Sequence, residues 1–452
     1  MMQQQILLKD ATIINEGSTQ KGHLLLGNGL IEQVWMHREP IPDTIMRHAS
    51  IYELDGHWVF PGVIDDQVHF REPGLEYKGD IMSESRAAVA GGITSFMEMP
   101  NTIPQTTTQE QLENKFSLAA KKSLANYSFY IGATNENIDQ LKATDRNHVC
   151  GIKVFMGSST GNMLVDNVDA LRDIFRIQKI PVATHCEDET TIRTNLGFAE
   201  KQFGKHIPFY QHPVIRSHEA CEKSTRLAIS LAEQYQTRLH LLHLSTANEL
   251  RLLDNSTALH DKQITAEVCI HHLWFSERDY EEKNGFIKWN PAIKSEADRQ
   301  ALRNGLLNGY LDVVATDHAP HSLEEKSRTY LECPSGGPMV QHALLAMLEL
   351  AHKGLVSPEK IAEVMCHNPA ICFQIKGRGF IRKGYAADIV VVAPNTPYKV
   401  SEENTLYKCR WSPFMGYEFK SSIVCTFVNG HPVYEYGKVM DEVKSQALVF
   451  SR

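Results

Sequence analysis

From residue 61 to residue 374 the chain alternates short apolar, β-branched runs with amphipathic helical patterns, and no other feature narrows its fold as much. The strand-like runs lie at 63–70, 94–99, 127–131, 151–155, 182–185, 239–244, 264–268 and 313–316. Helical periodicity fills most of the gaps, as at 83–90, 109–122 and 219–235. Eight strands with helical crossovers over about 310 residues predict an α/β fold, a (β/α)8 TIM barrel. A doubly wound open sheet is the competing architecture. Such a sheet normally carries a Gly-rich phosphate turn after its first strand, and this chain has none.

The two ends read differently. Short strand-like runs at 6–8, 11–14, 23–26 and 30–34 are separated by turns, and similar runs recur at 388–393, 422–428 and 432–436. Asn429-Gly430 between the last two is a strong hairpin signal. The expectation is one small composite β domain from residues 1–60 and 375–452, flanking a barrel over 61–374.

With 452 residues the chain is long enough for both units, and its net charge of −8 gives no reason to expect a nucleic-acid partner. Its nine cysteines are spread singly without a CxxC pair, as expected of reduced thiols in a cytoplasmic protein. The apolar run near the amino terminus is too short for a signal peptide, and no segment approaches the roughly 20 apolar residues that span a bilayer. No membrane partner is expected.

Barrel enzymes carry their chemistry at the C-terminal ends of the strands. Here those ends present Gln67, His69 and Arg71 on the first strand, Glu98 and Asn101 on the second, and Lys153 within the fourth. His185 ends the fifth strand, His243 the sixth and Asp317 the eighth. Side chains two apart on a strand share a face, so Gln67, His69 and Arg71 should form one polar row. Imidazole and carboxylate donors converging at a barrel mouth suit Zn²⁺, and two such ions could share an activated water with Asp317 moving its proton. Lys153 in an apolar strand needs a partner or neutralisation. Either it pairs with a carboxylate such as Asp317, or it carries a CO₂-derived carbamate whose oxygens bridge metals. His240 should face away from His243. His271 and His272 read as structural, and His206, His212 and His218 as solvated or capping residues. The charged, turn-like stretch 322–335 is a candidate lid over the site.

His69-Phe-Arg-Glu-Pro-Gly74, Met99-Pro-Asn101-Thr, Gly151-Ile-Lys153-Val-Phe-Met, Trp289-Asn290-Pro-Ala-Ile and Ala315-Thr-Asp317-His-Ala-Pro-His321 together resemble the motifs of the amidohydrolase superfamily, and within it those of the dihydroorotases. The resemblance spans the whole chain. It implies reversible hydrolysis and ring closure between L-dihydroorotate and N-carbamoyl-L-aspartate, a step of pyrimidine biosynthesis. Carried over residue by residue, it implies metal positions at His69, Lys153, His185, His243 and Asp317, with Asp317 also the catalytic acid and base. It implies substrate contacts at Arg71 and Asn101, which would hold a free carboxylate, and at Asn290, His321, Gly337 and Pro338. A homodimer is also implied.

The pattern departs at Gln67, where the family's His-x-His motif has its first histidine. A neutral amide oxygen is a weaker zinc ligand than imidazole. One firmly bound zinc is therefore expected, with the second weak, exchangeable or absent. Two other readings compete: a cyclic amidase of hydantoinase or allantoinase type, and a metal-poor, non-catalytic subunit that assembles with another enzyme.

Overall fold

The computed structural model describes residues 5–157 and 163–452, so the first four residues of the amino-terminal stretch lie outside the described residues. Among the described residues, eight parallel strands run in sequence order around one sheet. They are β1 (Val63–Val68), β2 (Ile93–Glu98), β3 (Asn126–Gly132), β4 (Gly151–Phe155), β5 (Val182–His185), β6 (Leu239–Leu241), β7 (Ile264–Cys269) and β8 (Val313–Ala315). A bridge between Val68 and His318 brings the last strand back to the first, and the His69 N–H donates to the His318 carbonyl at 2.7 Å. The alternation of strands and helices thus closes into the predicted barrel.

Helices pack against the outside and continue the apolar core. Helix α1 (Ile81–Ala90) begins at Asp80, which accepts from the Ser83 N–H while Ser83 returns the bond, a reciprocal cap. Helix α2 (Gln109–Lys122) and helix α4 (His218–Tyr235) fall where periodicity placed them, capped by Thr108 and Ser217. Between them in chain order, α3 (Glu189–Phe203) starts at Asp188 directly after β5. Every residue of β1 is buried, Asp65, Asp66 and Gln67 included, because both faces of a barrel sheet are covered.

Four strands stop short of the sequence expectation, β2 and β8 by one residue, β1 by two and β6 by three, and a residue of the site turns left-handed just beyond the end of β1 and of β6. β1 ends at Val68 and Arg71 adopts φ 73°, while β6 ends at Leu241 and His243 adopts φ 41°. A left-handed backbone cannot continue a strand.

Both chain ends build a second, nine-stranded sheet. Its seam is the antiparallel pairing of Trp58–Pro61 with Ile389–Ala393. The expected runs at 6–8 and 11–14 merge into one strand, Ile6–Asn15, whose register shifts after Leu8, with Asp10 at φ 59°. Asn429 and Gly430 take φ 49° and 75°, the two positive values a tight hairpin turn requires.

The stretch 322–335 is a tied-down wall rather than a free lid. Ser322 caps the short helix Leu323–Lys326. The buried Lys326 ammonium donates to the Pro334 and Gly336 carbonyls at 2.8 and 2.6 Å. Lys288 does the same for Tyr330 and Cys333 at 2.7 and 2.6 Å. Among the described residues no helix is long and apolar enough to cross a membrane.

Candidate active site

A cavity of about 550 Å³ opens at the C-terminal ends of the barrel strands. Gln67, His69 and Arg71 all face it, Arg71 from the left-handed turn beyond the end of β1, and so do Asn101, Lys153, His185, His243, Asn290, Asp317 and His321. Gly337 and Pro338 do not line it. They are buried behind the wall, where a Cβ on Gly337 would come within 2.5 Å of the Trp289 ring. Pro334, Ser335 and Gly336 hold the cavity surface instead.

Two of the histidines stand close enough together to share one cation. His185 Nδ1 lies 2.9 Å from His243 Nε2, close to the roughly 3.3 Å between two nitrogens on one tetrahedral zinc. The other nitrogen of His185 faces Glu187 Oε2 at 2.8 Å, and Arg216 meets the same oxygen at 3.1 Å. This carboxylate fixes the ring's orientation and tautomer, leaving Nδ1 for the cavity. Burial pushes both imidazoles below the usual histidine range, His243 the further because His185 and Lys153 stand beside it. Burial thus favours the neutral ring, the form that binds metal.

Lys153 is fully buried, and among the described residues no carboxylate comes within ion-pair distance of it. The alternative of a buried Lys153–Asp317 pair is not what the structure contains. Burial lowers the Lys153 amine to about 8, partly offset by Glu267 and Asp317. A substantial neutral fraction near pH 7.5 is what reaction with CO₂ requires. Also in the cavity, His69 Nε2 and Gln67 Nε2 both approach Asp317 Oδ1, at 3.1 and 3.2 Å. The Gln67 carbonyl oxygen turns away, toward Cys269 Sγ at 3.8 Å. As oriented, Gln67 offers this corner a donor rather than a ligand oxygen. The residues fit one metal at His185, His243 and Lys153, and the Gln67 corner is the poorer of the two.

Next to these groups lies an anion grip. His69 Nδ1 meets Asn101 Oδ1 at 2.6 Å, which leaves the Asn101 amide N–H groups for the cavity. Arg71 is anchored through Nε to the Pro320 carbonyl at 3.0 Å, and its Nη2 reaches His321. A rigid guanidinium beside an amide donor suits a carboxylate.

His240 faces away from His243 as expected, although the strand has ended between them. Its Nε2 lies 3.0 Å from Asp66 and 3.3 Å from Glu267, beneath the cavity. Burial works against a charge on His240, but the two carboxylates overcome it and hold the ring up at about 9. The ligand atoms of Asp66, His240 and Glu267 lie within 4.8 Å of one another, and Glu267 Oε1 also accepts from the His243 N–H at 2.9 Å. His271 stacks on Trp289 and His272 bonds the Pro291 carbonyl, both structural. His206 is exposed, in keeping with a solvated role, whereas His218, half-exposed at the start of α4, is neither solvated nor the cap but meets Asp298 Oδ2 at 2.8 Å. His212 corrects the expectation. It is buried between Tyr330 Oη and the Trp289 carbonyl, at 2.8 and 2.7 Å, because the short helix His212–Ile215 turns its first residue inward.

Sequence reasoning missed Glu187, Arg216 and Lys78. The two-residue spacing of His185-x-Glu187 was a usable signal; Arg216 and Lys78 come from segments with none.

The sequence pattern of the amidohydrolase family matches residues 58–433. The chain belongs to the amidohydrolase family. Within it, a dihydroorotase of Methanosarcina acetivorans is 32% identical over 91% of this chain and 88% of its own length. An allantoinase of Bacillus velezensis is 29% identical over 96% of this chain and 94% of its own. The structure superposes on the L-hydantoinase of Arthrobacter aurescens with a TM-score of 0.91, covering 99% of this chain and all of that one at 24% identity. This amidohydrolase is thus a hydrolase with the family's barrel and a second sheet built from both termini.

Proposed function

We propose that this amidohydrolase is a dihydroorotase, opening and closing the ring between L-dihydroorotate and N-carbamoyl-L-aspartate in pyrimidine biosynthesis. One observation carries the reading: the carboxylate grip of Arg71, Asn101 and His321 shares a cavity with the ligand set of Lys153, His185 and His243. Dihydroorotate is a cyclic amide that bears a carboxylate, so one group of residues suits each half of it. The dihydroorotase relatives support the same reading.

Zn²⁺ at His185, His243 and a carbamylated Lys153 would supply a polarised amide carbonyl and a more acidic water. The chain's own residues do the rest. Arg71 and the Asn101 amide hold the carboxylate and fix the ring's pose. Asp317 takes the proton of the attacking water and returns it to the leaving nitrogen. The Glu187 carboxylate keeps His185 oriented throughout. We place the protein in the cytoplasm, as a homodimer.

The allantoinase relative supports a second reading, a cyclic amidase for uncarboxylated rings. Arg71 separates the two, since a buried guanidinium without an anion is poorly satisfied. Zinc-loaded protein, supplied with bicarbonate, is offered dihydroorotate, hydantoin and allantoin. Preferential turnover of dihydroorotate is expected. Equal rates on hydantoin, or none on dihydroorotate, would overturn the assignment.

A further inference from the structure

His321 sits in a hydrogen-bonding conflict. Its Nδ1 lies 3.0 Å from the Lys78 ammonium, which can only donate. Its Nε2 lies 3.0 Å from Arg71 Nη2, which also can only donate. A neutral imidazole has one acceptor nitrogen, so it cannot serve both. The same Nε2 lies 3.0 Å from the Ser335 carbonyl, which can only accept. Burial, with Arg71 next, pushes His321 well below the usual histidine range, so a doubly protonated ring is not the way out.

One arrangement satisfies both Lys78 and Ser335 and leaves only Arg71 facing a donor, with Glu325 Oε2 standing off from Nδ1 at 3.6 Å, beyond hydrogen-bond reach. Nδ1 accepts from Lys78, and Nε2 carries the proton and faces Ser335. The Arg71 Nη2–H and His321 Nε2–H groups then stand side by side as two donors at the cavity wall. An anionic oxygen resolves that juxtaposition. Lys78 is held in place for this role: its Nζ lies 3.0 Å from Glu325 Oε1, and Tyr77 Oη donates to the same oxygen at 3.1 Å. Glu325 is itself fixed through its other oxygen by the Ser322 N–H at 3.0 Å. Lys78, Arg71 and His321 are all buried, with relative exposures of 8%, 6% and 6%, so water does not substitute freely for these contacts.

We propose that Lys78 is a positioning residue: by donating to Nδ1 of His321 it keeps the ring proton on Nε2, where that N–H is shared between the Ser335 carbonyl and the substrate's carboxylate, which Arg71 also holds. This rests on the dihydroorotase reading for the identity of the anion, whereas the tautomer itself does not depend on it. Lys78 touches no reacting atom, so its removal should act on KM rather than on kcat.

The test has two arms. Nitrogen-15 NMR of the histidine-labelled, zinc-loaded protein, with His321 assigned by its Gln variant, reads the tautomer directly. The Nε2–H form is expected in the wild type, and the Nδ1–H form there would overturn the proposal without need of any Lys78 variant. In Lys78→Met the Nδ1–H form should gain population. KM for dihydroorotate should rise by about 10- to 100-fold, the worth of one hydrogen bond to a charged group, with kcat within about threefold. Lys78→Arg, which keeps a donor, should restore most of the loss. An unchanged KM, or a fall in kcat alone, overturns the proposal. A wild type without turnover on dihydroorotate defeats the substrate reading and leaves the tautomer arm to decide this one.

Discussion

At the scale of single residues the site is asymmetric, and Gln67 is the cause. Its amide N–H groups face Asp317, so the corner shared by His69 and Asp317 has one ligand fewer than the corner of His185 and His243. Gln67→His should raise tightly bound zinc from about one toward two per chain, read by metal analysis after dialysis. Two zincs retained by the wild type would contradict this. Glu187 makes the complementary case. It touches no cavity ligand position, yet it orients His185 from behind. Glu187→Gln should weaken zinc binding by about 10- to 100-fold in a chelator competition, with the fold intact by circular dichroism. Most of this site was legible because strand parity and strand ends are local signals. Gln67 and His69 could be put on one face from their spacing alone, whereas Arg71 reaches the same cavity from a left-handed turn past the strand's end. Lys78 and Arg216 could not, because each reaches the site from a connecting segment whose path only tertiary packing sets.

At the scale of elements, the segment behind His243 depends on Asp298. This residue sits in the first turn of α5 (Glu296–Leu307) and accepts from Ser295, from His218 on α4 and from the Ala247 N–H that follows β6. Burial raises its carboxyl, but these donors prevail and hold it down at about 2. A depressed carboxylate contributes stability above its unfolded value near 3.8, and that contribution is lost as pH falls from there through about 2. Asp298→Asn should therefore lower the thermal midpoint near pH 6, and the gap to the wild type should narrow steadily below pH 4. A gap independent of pH would show that the carboxylate charge is not what matters. The same elements show why strand limits were read less well than strand positions. β6 was expected through residue 244 because its apolar run continues that far; the left-handed turn at His243, imposed by the site, ends it at Leu241.

At the scale of the molecule, the carboxyl-terminal tail returns to the barrel. The Leu448 N–H donates to the Tyr127 carbonyl at 2.8 Å, alongside β3, and the Arg452 guanidinium reaches the Val149, Cys150 and Phe373 carbonyls. Leu448 and Phe450 are buried at 0% and 2% exposure. Leu448→Ala should cost about 2–5 kcal/mol in urea denaturation, as for a core leucine. A cost below about 0.5 kcal/mol would show the tail to be a loose appendage. Nothing in the tail's short sequence marks this docking, since it forms no regular element of its own. The second sheet was more visible, because β-rich runs recur at both ends.

The seam of that second sheet joins Trp58–Pro61 to Ile389–Ala393, partners some three hundred residues apart. A ribosome adding about 5–20 residues per second needs roughly 17–66 s to travel from one to the other. Throughout that interval the emerging amino-terminal strands have an unpaired edge and no counterpart to cover it. Biosynthesis of this enzyme therefore leaves an adhesive surface waiting on its own last fifth, which makes that interval the period when a chaperone matters most.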